Sequence, residues 1–150
     1  MPDYFLTPRD PLRPGDAVAA VIVLDDGRYL LQLRDQKPGI FYPGHWGLFG
    51  GAIDASETPD NALRRELREE LDLVVEQARP FTDFTFTIGS HGRVARYFFE
   101  VLVTQTTLTR LVLREGVEMR AFSAAEILTR SRVVPYDSFA IWLHANSAIL

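Results

Sequence analysis

Three glutamates lie close together in one stretch of the chain, Glu66, Glu69 and Glu70. In a helix, residues at i, i+3 and i+4 fall within an arc of roughly 100°, so the three carboxylates project from one face. Like charges at this spacing repel, and acids near the C-terminal end of a helix oppose its dipole. Acids placed against these local preferences indicate a functional site, and their hard oxygen atoms favour Mg²⁺ or Mn²⁺.

An ordinary charged helix face is the alternative interpretation of the same residues. Arg64, Arg65 and Arg68 alternate with the acids and could pair with them in solvent. The upstream residues weigh against this interpretation, because a glycine pair, Gly50 and Gly51, comes before the acidic run. Glycine at such a position lets another backbone or a ligand approach closely.

The complete segment forms one longer pattern. Gly51 is followed after five residues by Glu57 and, after seven more, by the run from Arg65 to Glu70, then Asp72 and Leu73. This pattern resembles the Nudix box of the Nudix (MutT-like) hydrolase family. The family has glycine in place of Asp72, and the other defined positions match. Glycine there normally takes the left-handed conformation that ends a helix, which aspartate can also adopt at some cost.

The resemblance implies a divalent cation at this site. It assigns Mg²⁺ or Mn²⁺ to four ligands: the carboxylates of Glu66, Glu69 and Glu70 and the backbone carbonyl of Gly50. The three histidines of the chain show no spacing typical of zinc sites. The predicted cofactor is therefore Mg²⁺, with Mn²⁺ as the alternative.

The resemblance also suggests supporting and catalytic roles. Glu57 and Arg65 resemble box residues that brace the catalytic helix against its loop. The general base in this family is either a box glutamate or a glutamate of a later loop, and here the later candidates are Glu115 and Glu118. Solvated loop acids are an equally good interpretation of these two.

Candidates for substrate contact are supported more weakly, because ordinary packing or surface exposure explains each of them as well. They are Arg34, Trp46, Phe84, Arg93, Arg96 and Tyr97. Alternation along a strand separates Arg96 from Tyr97, so both cannot face one pocket unless the strand contains a bulge.

The resemblance predicts a hydrolase that cleaves a diphosphate linkage by means of metal-activated water. The expected substrate is a nucleoside diphosphate derivative such as a nucleotide sugar, an ADP-ribose-like molecule or a nucleoside triphosphate. A nucleotide-sensing domain of the same fold that does not cut its ligand is the alternative, although such relatives usually lose box acids. The isopentenyl diphosphate isomerase branch uses a cysteine, and this chain has none. A purely structural interaction module would not require the acids.

Composition limits the partners and the compartment. The formal net charge of −4 disfavours a nucleic-acid polymer, whose binding depends on clustered Lys and Arg. The longest apolar run, Ala17–Leu24, is far shorter than the roughly 20 residues that a membrane span needs. The absence of cysteine excludes disulfides and thiolate metal sites. We therefore expect a cytoplasmic protein with a small-molecule nucleotide substrate and no membrane partner, and a homodimer stays open.

The elements that must position these residues are predicted from periodicity and turn signals. Residues 1–15, with four prolines, are predicted to be an N-terminal arm, and residues 16–150 one domain. We expect an α/β fold, the Nudix-type α/β/α sandwich with a mixed central sheet. Strands are predicted at 16–24, 28–34, 46–53 (interrupted by the glycine pair), 84–88, 93–104 and 119–122, with a hairpin turn at 89–92. Helices are predicted at 58–71, with Thr58 as N-cap, and at 124–129 and 136–148.

Overall fold

A mixed sheet organises the part of the chain that the computed structural model describes, residues 15–87 and 92–147. Its strands are β1 (Ala17–Leu24), β2 (Tyr29–Leu33), β3 (Trp46–Gly47), β4 (Phe49–Ala52), β5 (Arg79–Thr87), β6 (Arg93–Val103) and β7 (Glu118–Phe122). The helices are α1 (Pro59–Leu71), α2 (Gln105–Leu108), α3 (Ala124–Thr129) and α4 (Pro135–Ala145). None of the helices in these ranges is long and apolar enough to cross a membrane.

Strand β1 lies at the centre of the sheet. The strand order is β3-β2-β1-β6-β5, with β4 also paired to β1 and β7 to β2. The β1–β6 pair is parallel, whereas the other strand pairs are antiparallel. Because helices cover both faces of the centre, β1 is apolar almost throughout instead of alternating with polar residues.

Each face of the sheet has its own core. Val18, Ala20 and Ile22 of β1 pack on the side of α1, whereas Ala19 and Val21 pack on the side of α3 and α4. The apolar side chains that α1 contributes to the first core are Ala62, Leu63, Leu67 and Leu71, all fully buried. The structure therefore confirms the predicted α/β fold, with helices on both faces of a mixed sheet.

Helix α1 has the predicted start and end. The Thr58 side chain accepts a hydrogen bond from the backbone N–H of Asn61 (3.2 Å), and Pro59 occupies the first helical position. Asp72 ends the helix with a left-handed φ of 54°, and its N–H donates to the carbonyl of Arg68. Leu73 N–H donates to the carbonyl of Leu67 (3.2 Å). Asp72 thus performs the role that glycine has in the family pattern.

The prediction that the glycine pair interrupts the strand at 46–53 is wrong. The break falls at Leu48, whose N–H donates to Asp137 Oδ2 (3.0 Å). Gly50 and Gly51 lie inside β4 and pair with β1. The glycines therefore permit close strand pairing, and a buried side chain of α4 diverts the backbone at Leu48.

Other element boundaries differ from the predictions. Strand β5 begins at Arg79 instead of residue 84, and α4 ends at Ala145 instead of residue 148. The short helix α2 was not predicted, because its Gln-Thr-Thr-Leu sequence carries no periodicity. The predicted turn at 89–92, except Gly92, and the predicted arm at 1–15, except Gly15, lie outside the described residues, so the division into arm and domain stays a prediction.

Candidate active site

Glu70 is held against strand β4. The residue is only 3% exposed, and its carboxylate Oε2 accepts a hydrogen bond from the backbone N–H of Gly50 (3.0 Å). Gly50 has a φ of 149°, and a Cβ there would lie 2.0 Å from the carbonyl oxygen of Val18. Only glycine can occupy this position, because any side chain would push β4 away from β1.

Glu66 lies over the second glycine. A Cβ on Gly51 would be 2.6 Å from Glu66 Oε1, so the missing side chain provides the space that the carboxylate fills. The Glu66 side chain is only 13% exposed. The glycine pair of the sequence motif therefore forms the floor on which two acids of α1 rest.

The loop before β7 brings a third acid to the same place. The carbonyls of Leu71 and Glu70, which have no partner within the helix, accept hydrogen bonds from Val112 N–H (3.0 Å) and Arg114 N–H (2.8 Å). This attachment places Glu115 beside Glu70, and the two carboxyl groups share a hydrogen bond. The loop thus completes a cluster that α1 alone does not form.

The second later acid, Glu118, lies elsewhere. It is the first residue of β7, opposite Leu33 in β2, and forms an ion pair with Arg120 at the surface. It does not line the cleft next to Glu70. Of the two predicted later candidates for the general base, the structure brings only Glu115 to the acid cluster.

Burial and mutual repulsion change the ionisation of the cluster. Burial, then the hydrogen bond and charge of Glu115, raise the pKa of Glu70 to about 10, against the Gly50 N–H, which lowers it. Burial also raises the pKa of Glu66, and the charges of Glu69 and Glu115 add to this effect while Arg65 opposes it. These carboxyl groups therefore lie where full ionisation needs a nearby positive charge.

Arg65 connects the helix to the preceding loop. Its Nε and Nη2 donate to the two oxygens of Glu57 (both 2.8 Å), and Nη2 also donates to the carbonyl of Ala52 (3.0 Å). Nη1 donates to Glu66 (2.9 Å) and to Glu69 (3.3 Å), whose side chain is 60% exposed. This pairing lowers the pKa of Glu57 to about 2 and raises the pKa of Arg65. These contacts attach α1 to the preceding loop, and the bracing role of Glu57 and Arg65 in catalysis stays a prediction.

The donor chemistry of the cluster fits a hard divalent cation. Glu66, Glu70 and Glu115 supply carboxylate oxygens, and the raised pKa values of Glu66 and Glu70 show that the negative charge around them is not balanced. As placed, no three acidic or histidine side chains in the described ranges form a set that could hold a metal ion. In this arrangement Glu66 and Glu69 both form ion pairs with Arg65.

A cleft of about 300 Å³ opens beside the cluster. Glu70, Glu115 and Gly50 form one end, and Tyr136, Phe86 and two arginines lie along the rest; the arginines are Arg34 and Arg96. The charges that act on Glu70 are those of Glu115 and Glu66, whereas those that act on Tyr136 are those of Arg96, Asp137, Arg34 and Tyr42. The cleft therefore has an acidic end and a cationic, aromatic end.

Of the six predicted substrate residues, only Arg34 and Arg96 line this cleft. Trp46 is buried against Phe122 in the core, and Phe84 packs on the same core. Tyr97 lies on the opposite face of β6 from Arg96, as alternation requires, and packs on the α1 side. Arg93, at the start of β6, is not a lining residue. The placement of Trp46, Phe84, Arg93 and Tyr97 does not support substrate contact, because none of the four lines the cleft.

Sequence reasoning missed several lining residues. Phe86 shares the alternating face of Phe84, so the same strand pattern could have identified it. Tyr136 stacks on Phe86 with ring centroids 4.8 Å apart, and Phe41 also lines the cleft. Asp137 is 1% exposed and forms an ion pair with Arg96 (3.1 Å). An acid in the first turn of a helix resembles an ordinary capping residue, so nothing in the sequence indicated this buried pair.

Comparison with known proteins gives a consistent result. A model of the family described as NUDIX domain matches residues 13–143. The nucleoside triphosphatase NudI of Escherichia fergusonii is 39% identical over 67 residues, which make up 43% of this chain and 47% of that protein. The match thus spans about half the length of such curated relatives.

Solved structures have the same fold. The MutT protein from Methanosarcina mazei Go1 superposes with a TM-score of 0.76 at 21% identity, over 88% of this chain and 93% of that one. The E. coli dihydroneopterin triphosphate pyrophosphohydrolase gives a TM-score of 0.70 at 19% identity, over 88% and 95%. At these identities, the likeness concerns the fold alone.

Proposed function

This chain belongs to the Nudix family, and on that premise we propose that it hydrolyses a diphosphate linkage in a nucleoside triphosphate or a related nucleoside diphosphate derivative. The observation that carries the proposal is that the buried Glu70 lies with Glu66 and Glu115 at one end of a cleft. Such a group is costly for the fold and gives it no apolar contact. Binding of a cation and a polyphosphate accounts for its position.

The residues that would hold Mg²⁺ or Mn²⁺ are Glu66, Glu69 and Glu70, with the carbonyl of Gly50. When bound, the cation would offset the charge of the diphosphate and make an attacking water more acidic. Arg65 donates hydrogen bonds to Glu66 and Glu69, and its bidentate pairing with Glu57 attaches α1 to the preceding loop.

Glu115 is the general base in this proposal. It shares a hydrogen bond with Glu70, and it lines the cleft in which a substrate would lie. A carboxylate of this loop can accept the proton of the attacking water, while the backbone bond from Arg114 to Glu70 keeps the loop in place. Glu118 has no such position.

Among possible substrates, we rank nucleoside triphosphates first. The reason is that relatives named nucleoside triphosphatase match this chain over about half of their own length. Nucleotide sugars and ADP-ribose-like molecules contain the same linkage and follow. A cytoplasmic location, where these nucleotides occur, belongs to the same proposal.

The test is hydrolysis of a panel of these nucleotides with Mg²⁺, with Mn²⁺ and with EDTA. Release of phosphate, pyrophosphate or nucleoside monophosphate would identify the linkage that is cut. The variant Glu70→Gln should lose activity, whereas Glu76→Gln, which changes an exposed glutamate outside the site, should keep it. Saturable nucleotide binding without hydrolysis by the wild-type protein would instead identify a sensing domain.

A further inference from the structure

Arg34 presents free hydrogen-bond donors to the cleft. Its Nε donates to the carbonyl of Phe41 (2.8 Å), which sets the direction of the guanidinium group. Within residues 15–87 and 92–147, the terminal Nη atoms of Arg34 have no acceptor, and no carboxylate forms an ion pair with the group. Two donors of fixed direction are therefore available to a ligand.

The other arginine of the cleft differs in this respect. Arg96 forms an ion pair with Asp137 (3.1 Å), and its guanidinium also lies 4.8 Å from the centre of the Tyr136 ring. The charge of Arg96 is therefore paired within the protein, and its guanidinium group is held in place by Asp137 and Tyr136. Arg34 is thus the arginine of this cleft whose terminal nitrogen atoms have no acceptor among the residues that the structure describes.

Aromatic side chains line the cleft together with Arg34. Phe41, Phe86 and Tyr136 are among the lining residues, and the rings of Phe86 and Tyr136 stack with centroids 4.8 Å apart. Aromatic side chains beside a directed polar group are a common arrangement for binding a nucleobase.

We propose that Arg34 binds a carbonyl oxygen of the nucleobase and so selects keto bases over their amino counterparts. This inference rests on the proposed function, which places the diphosphate at the acidic end of the cleft. A guanidinium group only donates hydrogen bonds, and a base carbonyl accepts them. An exocyclic amino group at the same place would set donor against donor and leave both without a partner. Hypoxanthine, guanine and uracil are therefore favoured over adenine and cytosine.

The test uses pairs of nucleotides that differ in one exocyclic group. Inosine and adenosine triphosphates form the purine pair, and uridine and cytidine triphosphates form the pyrimidine pair. The wild-type kcat/KM should be about 10-fold or more higher for the keto member of each pair. The variant Arg34→Met should lower kcat/KM for the keto members and bring both ratios close to one.

A matched control and a second outcome separate base recognition from other roles. Arg110→Met removes an exposed arginine outside the cleft and should leave the ratios unchanged. If Arg34→Met lowers kcat/KM equally for all four nucleotides, Arg34 binds phosphate or supports the fold, and the proposal is overturned. Equal wild-type values within each pair would overturn it as well.

Binding of nucleoside monophosphates keeps this inference distinct from the proposed hydrolysis, because they contain no diphosphate linkage. Calorimetry should show tighter binding of inosine than of adenosine monophosphate, and of uridine than of cytidine monophosphate, with both preferences lost in Arg34→Met. If the wild-type protein hydrolyses no nucleotide yet shows this pattern, the hydrolase proposal fails and keto selection stands. If it hydrolyses nucleotides without a keto preference in either measurement, keto selection fails alone.

Discussion

The backbone N–H of Arg114 donates to the carbonyl oxygen of Glu70 over 2.8 Å. This bond attaches the loop before β7 to the same residue whose side chain is held by Gly50. The position of Glu115 therefore depends on the end of α1 and not on the sequence around it. A change that frays the last turn of α1 would move two acids of the cluster at once.

This relationship predicts different effects for the two later acids. Glu115→Gln should lower turnover by about 100-fold, the scale expected for loss of a general base, without changing the fold. Glu118→Gln should have little effect, because Glu118 pairs with Arg120 at the surface. Steady-state kinetics with the best substrate of the panel, together with circular dichroism, would check this. Equal losses in the two variants would reject the assignment of Glu115.

Replacing Glu70 should separate function from stability. Glu70→Gln should lower turnover by at least about 100-fold. In metal-free buffer near pH 7 it should melt at a higher temperature than the wild type, because Glu70, whose pKa is raised to about 10, must take up a proton on folding. A neutral amide needs no proton and can still accept the Gly50 hydrogen bond. The rise in melting temperature that Mg²⁺ gives the wild type should be absent. A scanning fluorimetry titration measures both effects, and a variant that gains as much from Mg²⁺ as the wild type would exclude Glu70 as a ligand.

Gly51 should be intolerant of even one added carbon. Gly51→Ala would place a Cβ 2.6 Å from Glu66 Oε1, so the carboxylate must move and Mg²⁺ affinity should fall. The free energy of unfolding should also fall by about 1–3 kcal/mol, the usual cost of overpacking. Urea denaturation of the double variant Gly51→Ala/Glu66→Ala provides the control, because the cost of Gly51→Ala should be smaller when Glu66 is absent. Additive costs would contradict the contact.

Local signals made one part of this fold predictable from the sequence. Thr58 and Pro59 mark the start of α1, and leucines at every fourth position mark its buried face, so the helix was predicted to the correct residues. The helical spacing of Glu66, Glu69 and Glu70 likewise predicted that these acids share one face of α1. These features depend only on neighbouring residues, and periodicity records them directly.

Contacts between distant parts of the chain could not be predicted in this way. From the sequence, Glu115 and Glu118 were equally good candidates for the general base. Only the backbone hydrogen bond from Arg114 N–H to the Glu70 carbonyl determines which of the two acids lies in the cluster. Sequence reasoning also selected Phe84 and Trp46 for the substrate although both pack in the core. An aromatic residue on a strand has the same sequence signature whether it meets a helix or a ligand.

The Glu57–Arg65 pair should stabilise the protein in a pH-dependent manner. The pKa of Glu57 is lowered from 4.5 to about 2 in the folded protein. A lowered carboxyl pKa means that the contribution is fully present above 4.5 and is lost as the pH falls through about 2. Glu57→Gln should therefore be less stable than the wild type at pH 7, and the difference should shrink between pH 4.5 and pH 2. Urea denaturation across this range tests the sign, and a difference that does not change with pH would contradict it.

The buried Asp137–Arg96 pair predicts a large loss of stability when one partner is removed. Asp137 also accepts the Leu48 N–H, so Asp137→Asn leaves Arg96 charged and unpaired behind the cleft. The free energy of unfolding should fall by about 3–5 kcal/mol, the cost typical of breaking a buried ion pair. The double variant Asp137→Asn/Arg96→Met also removes the unpaired charge of Arg96, so it should regain part of the lost free energy of unfolding. If the double variant is as unstable as the sum of the two single variants, the two side chains do not stabilise each other, and the cleft derives its shape from packing alone.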